Sequence, residues 1–379
     1  MGPRKRLRCR AAHLGRFRAS CNSTRGSDRG FRQPVARHGR RGELIIDSAT
    51  QLRARLKDLG LADPAIEAAW PRWWSADAEA SPSARAELRF GVARRLGLDP
   101  SSLLDDAQQP RFLWREEARF KHLTSESDIE RAGIASFGRA VATALATAAP
   151  PASNTLAGVT ADELRRRLLA TDRPYVGLDS LVALSWGIGV PIVHLRVFPW
   201  PQKRMAAMTV RLDQQSFILL GKDAAYPAWI AFWVAHELAH IALDHVDPDE
   251  AVVDLDHEGG TDEDAEERDA DAWALELLTG RPQPTVVSAD GARSAAGLAK
   301  AALSTGPQLG IEPGTLALCF GYSTGDWPIA NASLREIYQV ASPVWRVINR
   351  YARMQLLLDE APSGAAEFIS DVLRLNDVD

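Results

Sequence analysis

Two histidines and a glutamate stand one helical turn apart in AHELAHIALDH, residues 235–245: His236, Glu237 and His240. Positions i and i+4 share one face of an α-helix. His236 and His240 can therefore aim two imidazoles at one metal ion while Glu237 reaches a water beside it. Imidazole suits zinc, and zinc lowers the pKa of its water toward about 7. The glutamate can then take that water's proton for attack on a peptide carbonyl.

The pentapeptide alone does not decide the matter. With eight histidines in 379 residues, it arises by chance in about one such chain in a hundred. Two helical histidines can also be satisfied by carbonyls and carboxylates. A catalytic zinc normally has three protein ligands and one open position, so the third ligand is the test. The continuation HExxHxxGxxH would need Gly at 243 and His at 246, where the chain has Leu243 and Val246. His245, roughly 140° around the helix from His240, is expected at the surface.

A carboxylate can instead come from a second helix. EERDADAWALELL (266–278) brings Glu267 and Asp271 to one face at i and i+4. Glu267 then serves as the third ligand, and Asp271 orients a ligand histidine through a hydrogen bond. Asp269 is the alternative ligand. Ala270, Trp273, Ala274, Leu277 and Leu278 form an apolar stripe beside these carboxylates, which argues against a merely solvated face.

The elements that must position these groups are readable from punctuation and periodicity. Pro227 opens the HExxH helix and Pro248 is expected to stop it; Gly280 and Pro282 close the second helix. VPIVHLRVF, MAAMTVRL and SFILLG read as strands, the last two around the turn DQQ. Between the two site helices DPDEAVVDLDHEGGTDEDAEE reads as an acidic loop. ATQLRARLKDLGL, DPAIEAAWPRWW and SARAELRFGVARRLGLDPSSLLDD read as short helices, residues 111–147 as further helix, and Asn331–Glu360 as a long helix kinked at Pro343.

Charge and composition bound the rest. Residues 1–42 carry thirteen Lys/Arg and one acid, so they are +12 and the remainder of the chain is −16. This segment reads as a disordered basic tail, or as sequence ahead of a later true start. Residues 43–108 carry eight basic and eleven acidic residues, where a DNA reader normally presents a basic face. No apolar run approaches the roughly 20 residues that cross a bilayer. Cys319 is the one thiol outside the tail, and such usage favours a reducing, cytoplasmic location. The expected organisation is a tail (1–42), a helical domain (43–110), a helical connector ending in an Ala/Pro linker (111–153), the metal-site domain (154–283) and a C-terminal helical region (284–379).

In three blocks the chain resembles the ImmA/IrrE family of bacterial metallopeptidases. LVALSWGIGVPIVHL (181–195) is similar to the family's helix–strand entry, AFWVAHELAHIALDH (231–245) to its zinc helix, and ERDADAWALELL (267–278) to its second helix. Residues 308–337 are similar to a segment of longer members, and ARRLGLDPSSLL is loosely similar to the closing helices of repressor-type helix-turn-helix domains. Ala231, Ala239 and Asp271 replace the family's usual Arg, Gly and Asn, and Thr279–Pro282 stretches its usual ending.

The resemblance implies an α+β fold, mostly helical, with a small, mainly antiparallel sheet packed on the zinc-bearing helices. It implies one zinc per chain held by His236, His240 and Glu267, with Glu237 as base and Asp271 behind a ligand. The implied activity is regulatory proteolysis of a transcriptional repressor or other specific protein, sometimes within toxin–antitoxin modules. The alternative is a non-catalytic, zinc-containing regulator or antitoxin-like binding protein. DNA binding has weak support, and no membrane partner is expected. For the group that stabilises the oxyanion, Tyr226, His245 and His257 are candidates.

Overall fold

Five short strands form one sheet in the order β1-β5-β3-β4-β2: β1 Ala118–Lys121, β2 Ile192–His194, β3 Met205–Leu212, β4 Gln215–Leu220 and β5 Ala251–Leu255. The sheet is antiparallel at its centre, where β3 pairs with β4 and β5, and parallel at both edges. The rest is helical, so the fold is α+β and mostly helix. In this computed structural model the described residues are 49–114, 118–121, 127–151, 156–171, 173–202, 205–255, 265–287 and 294–378. The basic tail, residues 1–42, and His257 lie outside them.

β3 and β4 form the expected hairpin, with Asp213 of the turn in the left-handed region that Asp tolerates. Successive side chains of a strand point to opposite faces, and both faces of β3 are covered. Met208 meets the helix Asp128–Ala146, where a Cβ on Gly138 would stand 2.3 Å from the Met208 sulfur. A side chain at 138 would force the Met208 thioether to shift. Thr209, on the other face, meets the HExxH helix.

One core joins the first and last described helices. Leu52 and Leu56 of the first helix, Phe217 of β4 and Phe368 near the C-terminus are all fully buried within it. The helices Ala49–Asp58, Asp63–Ala69 and Pro82–Leu96 form where expected. Pro100–Leu104 is a single turn that buries Ser102 and Leu103, whereas a recognition helix presents its side chains outward to a DNA groove.

Several expectations are corrected. The acidic loop contains β5, whose adjacent Val252 and Val253 suit a pleated, buried strand. Residues 111–147 contain β1 ahead of the helix Asp128–Ala146. The Ala-rich run expected as a linker is the end of that helix, with Val141, Ala142, Leu145 and Ala148 in the core. The long C-terminal helix is two, Trp327–Tyr338 and Val344–Gln355. Gln339, at a positive φ, ends the first, and Pro343 caps the second instead of kinking one helix.

Candidate metal centre

The HExxH helix, Pro227–Ala242, begins at Pro227, whose missing N–H costs nothing in the first turn. It is apolar on nearly every side because helices and sheet surround it, and it packs most extensively against the helix Ala265–Thr279. The second helix is fixed at its far end by Arg165. That buried guanidinium donates to the carbonyls of Leu277 and Leu278 and, from its other nitrogen, to Gly310. Trp273 donates its indole N–H to the Val159 carbonyl. These bonds set the position of Glu267, in the first turn of the same helix.

His236, His240, Asp254 and Glu267 each offer a donor atom, and these atoms lie within 4.8 Å of one another. From His236 Nε2 the distances are 3.1 Å to His240 Nε2, 3.2 Å to Glu267 Oε2 and 3.4 Å to Asp254 Oδ2. Glu267 Oε1 lies 3.6 Å from His240 Nε2. Four ligands at zinc distances of about 2.0–2.1 Å on a tetrahedron stand about 3.3 Å apart. The donor spacing fits an ion of that size. All four residues are buried, none more than 6% exposed.

Backbone dipoles suit the charges. Glu267 stands in the first turn of its helix, where the dipole favours an anion, and His240 in the last turn of its own, where the dipole favours a cation.

Each imidazole is held from behind. His236 donates from Nδ1 to Asp271 Oδ1 at 2.9 Å, which leaves the Nε2 lone pair facing the centre. His240 Nδ1 meets His245 Nδ1 at 3.1 Å. For His240 Nε2 to present a lone pair, its proton sits on Nδ1 and is donated to His245. The expectation that His245 lies at the surface is therefore corrected. It assumed a helix running to Pro248, but the helix ends at Ala242. Asp244 turns left-handed, the His245 N–H returns to the His240 carbonyl and the Asp244 N–H to Ile241. That closing turn folds His245 back against His240, half-buried.

Glu237 is fully buried beside the four donors. Thr209 Oγ1 of β3 donates to Glu237 Oε2 at 2.5 Å, while Oε1 has no hydrogen-bond partner. Burial, reinforced by the charge of Asp254, pushes the Glu237 pKa well above the usual carboxylate value. Burial opposes a charge on His236, but the facing carboxylates of Asp254, Asp271 and Glu267 outweigh it, so its pKa rises well above 6.5. A cluster of carboxylates without a cation draws protons instead.

All five expected site residues meet here: His236, Glu237, His240, Glu267 and, behind His236, Asp271. Asp269, the alternative ligand, is exposed. Tyr226 caps the opposite end of the helix, about 15 Å along its axis from His236, stacked on Tyr338; it is not an oxyanion group for this centre. Asp254 and Thr209 were missed. The signal for Asp254 was the strand-like AVVDL inside an acidic stretch. Thr209 reads from sequence as an ordinary strand residue, with no local mark of its contact. Comparison with known proteins finds no matching family model, no matching curated protein and no matching solved structure.

Proposed function

We propose that the chain is a zinc-dependent endopeptidase of the ImmA/IrrE kind, acting in regulatory proteolysis of a transcriptional repressor or another specific protein. One pairing carries the reading. Four donors converge within 4.8 Å, and beside them Glu237 keeps a fully buried carboxylate oxygen without a hydrogen-bond partner. A metal site needs the convergent donors. An unsatisfied buried carboxylate adds nothing to metal binding and costs stability, so it points to chemistry on a water or a substrate. The three blocks similar to the family support the substrate class, and Cys319 as the one thiol outside residues 1–42 supports a cytoplasmic setting.

When bound, zinc supplies a water of lowered pKa and a Lewis-acid contact for a carbonyl oxygen. His236, His240 and Glu267 hold it. Thr209 fixes one oxygen of Glu237, and the other would take the proton. A raised pKa suits a group that must keep that proton and then return it to the departing amine. Asp271 and His245 keep the two imidazoles in the tautomer that binds metal.

A second reading, a non-catalytic zinc-containing regulator or antitoxin-like protein, is favoured by one observation. Asp254 makes a fourth protein donor in a centre that is almost wholly buried, as in structural sites. Metal analysis with Glu237→Gln separates the readings. Purified wild type should carry about one zinc per chain; Glu237→Gln should keep it and lose cleavage of the protein substrate. A Glu237→Gln chain that works in vivo as wild type does would leave the non-catalytic reading standing. A wild type without zinc would remove both.

A further inference from the structure

Asp254 is 1% exposed, and neither carboxylate oxygen has a hydrogen-bond partner. An isolated buried carboxylate is costly unless a cation compensates it. Its Oδ2 lies 3.4 Å from a ligand nitrogen, His236 Nε2, a distance that matches the separation of two ligands on one ion. The backbone supplies an independent sign. β3 and β5 pair Met205 with Leu255 and Ala207 with Asp254, so Ala206 is an extra residue in the ladder. Such bulges re-aim side chains beside functional sites, and this one stands directly opposite Asp254. Across the ladder the partner is Ala207, too small to fill the space.

Charge gives the same answer. Two neutral imidazoles with the carboxylates of Asp254 and Glu267 neutralise a divalent cation. Resting on the reading of this centre as a zinc site, we propose that Asp254 is a fourth protein ligand, occupying the position an attacking water needs. The resting centre is then closed, and the Asp254 end of β5 must withdraw before a substrate carbonyl or water can enter.

The test uses the full chain, stripped of metal and reloaded with one equivalent of cobalt(II), whose visible spectrum reports its ligands. Acetohydroxamate, a small chelating anion, probes for an exchangeable position. The wild-type spectrum should resist millimolar acetohydroxamate. Asp254→Ala and the gentler Asp254→Asn should respond at concentrations at least about tenfold lower, and should lose metal to a competing chelator at least about tenfold more readily. Equal response and equal metal retention in wild type and variants would overturn the proposal while leaving the zinc reading intact. If neither variant folds, the wild type decides alone: a spectrum that shifts at micromolar acetohydroxamate means an open position and no fourth protein ligand. A wild type that takes up no cobalt or zinc would remove the zinc reading itself.

Discussion

Thr209→Val tests the placement of Glu237 with little disturbance. Valine has nearly the shape of threonine and suits a strand, so neither cavity nor backbone change is introduced. What disappears is the donor 2.5 Å from Glu237 Oε2, between two residues that are both fully buried. In the metal-free fold Glu237 holds a proton, so the bond lost is one between neutral groups; leaving its buried oxygen unsatisfied, with no water to replace the donor, costs about 1–3 kcal/mol. Urea unfolding of the metal-free protein should therefore show a loss of about that size with an unchanged slope. To isolate the pair, Thr209→Val is combined with Glu237→Met, which removes the acceptor at similar volume. The double-mutant cycle should return a coupling above about 1 kcal/mol. Thr209→Val should also keep its metal, because Thr209 is no ligand, while hydrolysis slows. Single effects that add to within about 0.5 kcal/mol would refute the argument that Thr209 holds the base.

The groups behind the imidazoles make a second prediction. Asp271→Ala and His245→Phe should each weaken metal binding by about 10–100-fold in chelator competition, with Asp271→Asn and His245→Asn close to wild type because an amide oxygen still accepts from Nδ1. Loss in the Asn variants equal to that in the others would contradict a tautomer-fixing role. A third prediction concerns pH. Glu237 and His236 both have raised pKa values in the metal-free fold, so the native chain holds protons that the unfolded chain releases. Metal-free stability is then full below the ordinary values of these groups and falls as pH rises through the folded ones, by up to about 1.4 kcal/mol per pH unit for each proton. Metal displaces those protons, so the gap between loaded and metal-free melting temperatures should widen from about pH 5 to about pH 9; a constant gap would contradict it.

The helical half of the centre was legible because its information is local. His236, Glu237 and His240 share one turn, and Glu267, Asp271 and the stripe through Ala270, Trp273 and Leu277 share another, so period alone aligned them. The strand half depends on register between segments more than forty residues apart. Thr209 and Asp254 share the face toward the HExxH helix because β3 pairs with β5 in the register Ala207–Asp254 and Thr209–Val252, and no local pattern encodes that pairing. AVVDL was hidden by its acidic flanks, although two adjacent β-branched residues are poor loop formers. His245 went astray through one residue. Asp244 can adopt the left-handed turn that ends a helix, and reading Pro248 as the stop carried the helix past Ala242 and His245 to the wrong side.

Two features of the centre pull in opposite directions, and their combination is informative. Four protein donors and near-complete burial describe a site built to keep its metal. Glu237 has no place in such a site: it lies 0% exposed with Oε1 unpartnered, and its charge repels those of Asp254 and Glu267. A chain using the metal only for stability would do better with an apolar residue there, since replacing a half-satisfied buried charge by a packed side chain is commonly neutral or stabilising. Thr209 worsens the case for stability alone, because it favours the ionised form of a group whose burial opposes ionisation. A base held ionisable, aimed and dry beside a closed metal centre makes physical sense if the centre opens. The donor whose withdrawal would open it is Asp254, at the end of β5 and paired through the backbone with Lys121 and Ala207, whereas His236 and His240 are braced by Asp271 and His245.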